Sequence, residues 1–471
     1  MNPTPGTPGT PGTPGYPGSR VTHKKTRRQA ARVVACILLM VFVMGGCWDE
    51  KTPEPPETKI DASDSEKSKD LVGAPMPGEE PIMRVRVHRV REKGQSITLG
   101  VEGQTLQAVH LAYEGTGMNL QAPLRVTADV MGWTFREPDG RITHAQGFDE
   151  LAIVAQGGES IRLQPRDRKY PGTLRLTWRS DVEPGAFDVV NHVSLEQYLP
   201  GVLASELFGH WHVEAYRAQA VAARSFACSE HGYFRDRRHY DVSDSISSQV
   251  YAGEVDRRKA DEATRATKGL VLSYEDRLVP GYYSSCCGGL AARAIDVIGP
   301  NLMNKIAPLD GRSEPDICTD APVYDWEVVR PRSQFVARLK AYGEARGWGF
   351  QDLAQLEDIA SIEVAARNAH GRPLSFRLIP IEGEPVELLA ERLLGAANST
   401  RGGFSAPDTA LKSSFVEITI EGDEVILKGR GFGHGVGLCQ YGAQTMAMQG
   451  HSHREILAWY YPEVLIKRTW K

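Results

Sequence analysis

The sequence is short of several features that would settle its class at once. Its apolar stretch, Val33 to Met44, runs for about a dozen residues, against the roughly 20 that a membrane-spanning helix needs. It has seven cysteines but no CxxC pair, so a zinc knuckle is not expected. Ser284 and Ser285 stand in no GxSxG elbow, which makes them poor nucleophiles. The Gly-rich run near the C-terminus is not followed by Lys-Ser/Thr, so it is not a phosphate loop. A strong basic patch is also lacking: the 471 residues carry a formal charge of −4, which argues against nucleic acid as a partner. His210, His212, His231 and His239 with Cys228 have no spacing that compels a metal site, and neither metal nor cofactor is expected.

What is present begins with a Pro/Gly/Thr repeat over 3–18, which cannot build a core. A basic run, Lys24 to Arg32, precedes the apolar stretch, which ends in Gly45-Gly46-Cys47. That order fits an export signal. MGGC resembles a lipobox with Cys47 as the lipidated residue; an uncleaved anchor and plain secretion are the alternatives. Residues 1–47 hold six Lys/Arg and no acid, so their removal takes the charge from −4 to −10. Residues 48–80, rich in Pro, Glu, Asp, Ser and Lys, carry most of that negative charge and read as a disordered acidic tether. The expected location is the cell envelope, with the chain anchored to a membrane.

From residue 81 the pattern is that of a folded body. Met83 to Val90 alternates with period two, and short β-like runs continue to residue 192. At Ser194 the character changes. Ser194 with Gln197 fits a capping box opening a short helix, and Pro200 suits the start of a second helical segment. His212 to His231 is the clearest helix, with an alanine-rich stripe that allows close packing. Pro385 to Leu394 also reads as helical. The fold class is α+β: a β-rich part over 81–192, then a helical catalytic segment in 193–471 with an α/β insertion at about 300–410. The expected binding site is a groove between subdomains.

Two stretches draw the chemistry. Glu206 is a lone carboxylate among Val202, Leu203, Ala204, Leu207 and Phe208. Apolar surroundings raise a carboxyl pKa and suit a general acid, although most helical glutamates are simply solvated. His434 lies in GFGHGVG, where glycines let backbone approach a ligand; Gln440 and Tyr441 follow with hydrogen-bonding groups suited to sugars or to buried backbone. Export permits disulfides, and Cys286 or Cys287 with Cys318 is the preferred pair.

Taken together, LEQYLPGVLASEL, EAYRAQAVAARSFA, SSQVYAGE, GYYSSCCGG, LKSSF, GRGFGHGVGLCQYGAQTMA and ILAWYYP resemble the stage II sporulation protein D family, which includes amidase-enhancer types. They run from Val193 to Pro462 in the family's order. The resemblance implies a lytic transglycosylase that cuts peptidoglycan glycan strands, favouring strands stripped of stem peptides, with Glu206 as catalytic acid and base. It implies that Gln219, Arg224, Gln249, Tyr251, Ser284, His434, Gln440 and Tyr441 line the groove. A non-catalytic enhancer that binds glycan or a cell-wall amidase is the alternative. Some members hold zinc through His and two Cys around the DV…QVY stretch; here Ser243 and Ser248 stand at the cysteine positions, so that zinc is not expected. Cys287 and Cys318 match a pair seen in some relatives, which implies the disulfide.

Overall fold

Alternating apolar residues build the first layer. The computed structural model describes residues 74–110, 117–147 and 149–471. Strand β1 (Ile82–Val90) buries Met83, Val85 and Val87 and pairs antiparallel with β2 (Phe187–Ser194), from Ile82↔Ser194 to Val90↔Phe187. These two strands belong to a seven-stranded sheet that continues through Thr173–Trp178, Glu150–Ala155, Thr105–His110 and Gly117–Gln121. A second sheet of six strands faces it. Val85, Leu106 and Leu176 of the first meet Leu99, Val126 and Phe135 of the second in one core. Leu195, Tyr198 and Val202 from the following helix enter that same core, so the β-rich part and the helical segment are packed as one α+β body.

That helix, α1 (Leu195–Glu206), differs from the sequence expectation. It runs without interruption through Pro200. An internal proline costs about 3 kcal/mol, but Leu195, Tyr198, Leu199, Val202 and Leu203 bury on both sides of it and hold the turn. The expected capping box is not formed: the Ser194 hydroxyl makes no bond to the helix backbone. Glu80 Oε1 instead accepts from Glu196 N at 3.0 Å, so a carboxylate satisfies a free donor at the positive end of the helix. Glu80 was assigned in sequence to the tether. Residues 74–80 lie on the body, where Ala74 bridges Leu278 and Met76 packs on the core.

Helix α2 (Val213–Phe234) is held on more than one side. Ala223 and Ala227 face the first core, while Ala215, Ala218, Val221 and Ala222 face a second. Small side chains make this possible, since bulk on either face would push a neighbour away. Helix α3 (Arg258–Ala266) packs on α1 and α2 through Ala260 and Ala263. Strand β3 (Leu270–Tyr274) pairs with Leu465–Arg468 at the C-terminus, from Leu270↔Arg468 to Ser273↔Leu465.

Two short strands matter most. β4 (Tyr283–Ser284) lies parallel to β5 (Leu438–Cys439), with Tyr283 opposite Leu438 and Ser284 opposite Cys439. The insertion intervenes between them in sequence and has a third core, from Trp326 to Leu427. It is closed by pairing of Asp325–Pro331 with Glu424–Arg430, and includes α4 (Arg332–Arg346) and α5 (Ala390–Ala397). The expected helix over 385–394 is a strand, Val386–Leu389, followed by α5; Val386 pairs with Leu378. The chain closes with α6 (Gln440–Met448) and α7 (His453–Tyr460). Among the described residues no helix is long and apolar enough to cross a membrane. The Val33–Met44 segment and Cys47 lie outside them.

Candidate active site

Glu206 is the last residue of α1, and three distant segments converge on its carboxyl. Val250 N donates to Oε1 at 3.3 Å, and Gln440 Nε2 donates to Oε2 at 3.3 Å. The Tyr283 hydroxyl is the third donor. Gln440 arrives because it follows β5 and opens α6; Tyr283 arrives because β4 pairs with β5. The loop before Tyr251 supplies the backbone N–H.

The electrostatic balance favours the neutral acid. Desolvation is the largest influence on Glu206 and pushes its pKa up to about 7, against the pull of the Gln440, Val250 and Tyr283 hydrogen bonds, which favour the ionised form. The partial negative charge at a helix C-terminus works in the same direction as desolvation. None of the groups acting on this carboxyl is a second carboxylate.

Behind it lies a directed relay. Tyr198 Oη donates to Gln249 Oε1 at 3.1 Å, and Gln249 Nε2 donates to Tyr283 Oη at 3.1 Å and to Ala223 O at 3.2 Å. With both its lone-pair side and its donors committed, Gln249 leaves the Tyr283 proton free for Glu206. Tyr283→Phe is therefore expected to raise the Glu206 pKa above about 7, because a donor to the ionised form is lost. A carboxyl-carbon NMR titration of labelled glutamate would read this directly. An unchanged or lowered value would contradict the assignment.

The other residues marked in sequence fall into three groups. Gln440 donates to Glu206 directly, and Gln249 is linked to it through the Tyr283 hydroxyl. Ser284 and His434 sit one layer back. Ser284 Oγ accepts from Gly435 N at 3.2 Å. His434 Nδ1 accepts from Val436 N at 3.0 Å, and its ring is also hydrogen-bonded to the Tyr283 backbone. Burial, then the nearby Arg372 charge, lowers the His434 pKa to about 4, so it is neutral at pH 7 and supports Tyr283 rather than exchanging protons. The glycines around it are required by contact: a Cβ on Gly437, at φ +67°, would stand 2.1 Å from Tyr282 O. Tyr441, the residue after Gln440, packs on the aromatic residues that follow α1, edge-on to Trp211 at 5.1 Å and tilted against Phe208 at 6.4 Å.

The third group does not reach the carboxyl. Arg224 is fully buried and grips Glu196 with two bonds, Nε to Oε1 at 3.0 Å and Nη2 to Oε2 at 2.8 Å. Tyr251 is also buried; its hydroxyl donates to Asn191 Oδ1 at 3.2 Å, and its ring lies against Gly201 of α1, where a Cβ would come within 2.6 Å. Both residues hold the scaffold, contrary to their expected place in the groove. Gln219 is fully buried in α2, with neither amide atom hydrogen-bonded.

The DV…QVY stretch is held by its own hydrogen bonds. His239 is bonded to Asp188 at 2.8 Å, and Ser243 N donates to Ser248 Oγ at 3.4 Å. Cys287 and Cys318, the expected disulfide, are thiols with Sγ atoms 3.6 Å apart, and Cys286 Sγ is 3.5 Å from Cys318. Cys318 lies between two adjacent cysteines and forms a disulfide with neither, contrary to the expected pairing.

Sequence reasoning missed Tyr283, Glu196 and Glu80. GYYSS contained Tyr283, and its alternation with Ser284 was the available signal: neighbours on a strand face opposite sides.

Comparison with known proteins places the chain beside cell-wall and sporulation proteins. Residues 183–274 match the family described as Stage II sporulation protein. An amidase enhancer of Bacillus subtilis (strain 168) is 25% identical over 292 residues, 56% of this chain and 39% of that protein. An uncharacterised protein of Brachyspira hyodysenteriae is 27% identical over 278 residues, 58% of this chain and 66% of its own length. The stage II sporulation protein D of Bacillus amyloliquefaciens is 25% identical over 349 residues, 68% of this chain and 90% of that protein. The chain thus spans less than two thirds of the first two relatives.

Proposed function

We propose, from the match of residues 183–274 to the Stage II sporulation protein family and the likeness to its curated relatives, that the chain is a lytic transglycosylase acting on peptidoglycan glycan strands stripped of stem peptides. The observation that carries this reading is the single carboxyl of Glu206, protonated up to about pH 7 and served only by neutral donors.

One such group suffices for a non-hydrolytic cut. The Glu206 acid protonates the glycosidic oxygen as the bond to C1 breaks. The carboxylate so formed takes the proton of the sugar's own 6-hydroxyl, whose oxygen bonds to C1. The products are an anhydro-ended fragment and a fragment with a free hydroxyl; the proton given in the first half is regained in the second. Water is not consumed. A hydrolase would need a second carboxylate to activate water or to attack the sugar. Gln440 and Tyr283 stabilise the carboxylate at mid-reaction.

Incubating the full chain with stem-free glycan and reading the products by mass spectrometry tests this. Anhydro-ended fragments are expected, with a rate that falls as pH rises through about 7 because the acid is lost. Reducing-end fragments would identify a hydrolase. Binding without cleavage would favour the second reading, a non-catalytic enhancer, which the name of the Bacillus subtilis relative supports. An envelope location with lipid anchoring at Cys47 belongs to the same proposal, as does a cell-wall amidase as partner.

A further inference from the structure

Cys287, Asp316, Cys318 and Cys439 come from three distant segments and are all buried. One ligand atom from each lies within 4.8 Å of all the others. From this arrangement we propose a structural zinc site, with three thiolates and one carboxylate around a closed four-coordinate ion. The site is independent of the glycan-cleaving reading and separate from the DV…QVY stretch.

The spacing is right for such an ion. Zinc–sulfur bonds of about 2.3 Å in a tetrahedron set sulfurs about 3.8 Å apart. The Cys287 and Cys318 Sγ atoms are 3.6 Å apart, and Cys287 Sγ is 3.0 Å from Asp316 Oδ2. A disulfide needs sulfurs about 2.05 Å apart, and bonding Cys318 to one neighbour would leave the other thiol and Cys439 buried beside a carboxylate.

The surroundings are arranged for negative ligands. Cys439 Sγ accepts from two backbone N–H groups, Cys287 N and Gly442 N, each at 3.4 Å. It also caps α6, where the helix end favours negative charge. Asp316 Oδ1 accepts from Tyr460 Oη at 2.9 Å and Ile317 N at 2.8 Å, while Oδ2, 3.2 Å from the same hydroxyl, is the oxygen that faces the Cys287 sulfur. Arg312, itself buried, lies 3.4 Å from that oxygen and offsets the excess charge. Such outer partners orient metal ligands and tune their affinity.

The ion would fasten the turn after β4, the 316–318 loop and the start of α6. Cys439 immediately precedes Gln440, which donates to Glu206, so the clamp fixes one wall of the carboxyl's setting from behind.

The test is metal content of the purified full chain by mass spectrometry, with Co²⁺ titration of the chelated protein as a second probe. About one equivalent of zinc is expected, and Co²⁺ should give thiolate charge-transfer and tetrahedral visible bands. Cys318→Ser and Cys439→Ser should each lower retained zinc at least about tenfold, while Cys286→Ser, outside the four ligands, should keep it. If Cys318→Ser fails to fold, the native Co²⁺ spectrum still decides. A metal-free chain, or an intact mass lowered by the hydrogens lost in disulfide formation among these cysteines, would overturn the proposal.

Discussion

Glu206→Gln is expected to abolish anhydro-product formation, with a loss on the order of 10²–10⁴-fold or to below detection. Glutamine keeps the shape and can still meet Val250 N, but it has no proton to give and no charge with which to take one back. One residue serves both halves of the proposed reaction, so no partner remains to carry either. The same substitution separates chemistry from folding. The native carboxyl has a folded pKa raised to about 7 from 4.5. Its contribution to stability is therefore fully present below the unfolded value and declines as pH rises through the folded one. A neutral amide escapes that penalty, so the variant should be at least as stable as the native protein above pH 7. Inactivity with an unfolding midpoint preserved at pH 8 is the expected pair of results. Retained cleavage would remove Glu206 from the chemistry, and a collapsed midpoint would leave the activity loss as a folding effect.

Much of this site was legible in sequence because the relevant signals are local. Apolar neighbours on one helix predicted a desolvated Glu206, and the structure shows desolvation as the main influence on it. The glycines around His434 predicted close backbone approach, which Gly437 makes against Tyr282 O. What stayed hidden is non-local. A two-residue parallel ladder between β4 and β5 brings Tyr283 and Gln440 to one carboxyl across more than 150 residues, and two residues carry no period. Pro200 predicted a break that tertiary burial overrides. Composition marked residues 74–80 as tether, yet one carboxylate there, Glu80, caps α1. The cysteines were visible as a pair, but Asp316 and Cys439 join them only through the fold.

Arg224 is a motif residue that the fold uses away from the Glu206 carboxyl. Its guanidinium is fully buried and meets Glu196 at both carboxylate oxygens, with further bonds to Leu270 O and Thr264 O. Glu196 Oε1 also accepts from Gly269 N at 3.0 Å and Trp470 Nε1 at 3.1 Å. This one ion pair therefore ties the first turn of α1 to α2, to the entry of β3 and to the C-terminal end of the chain. Removing one partner of a buried pair strands the other charge, so Arg224→Ala should cost about 3–5 kcal/mol. Arg224→Lys should recover part of this only, since a point charge cannot reproduce the two-bond fork. The measurement is urea unfolding of the native chain and both variants, with glycan affinity of the folded protein at low denaturant as the second readout. A large fall in midpoint with affinity little changed is expected of a scaffold residue. Unchanged stability with weakened affinity would instead place Arg224 in the groove, where the sequence motif alone had put it.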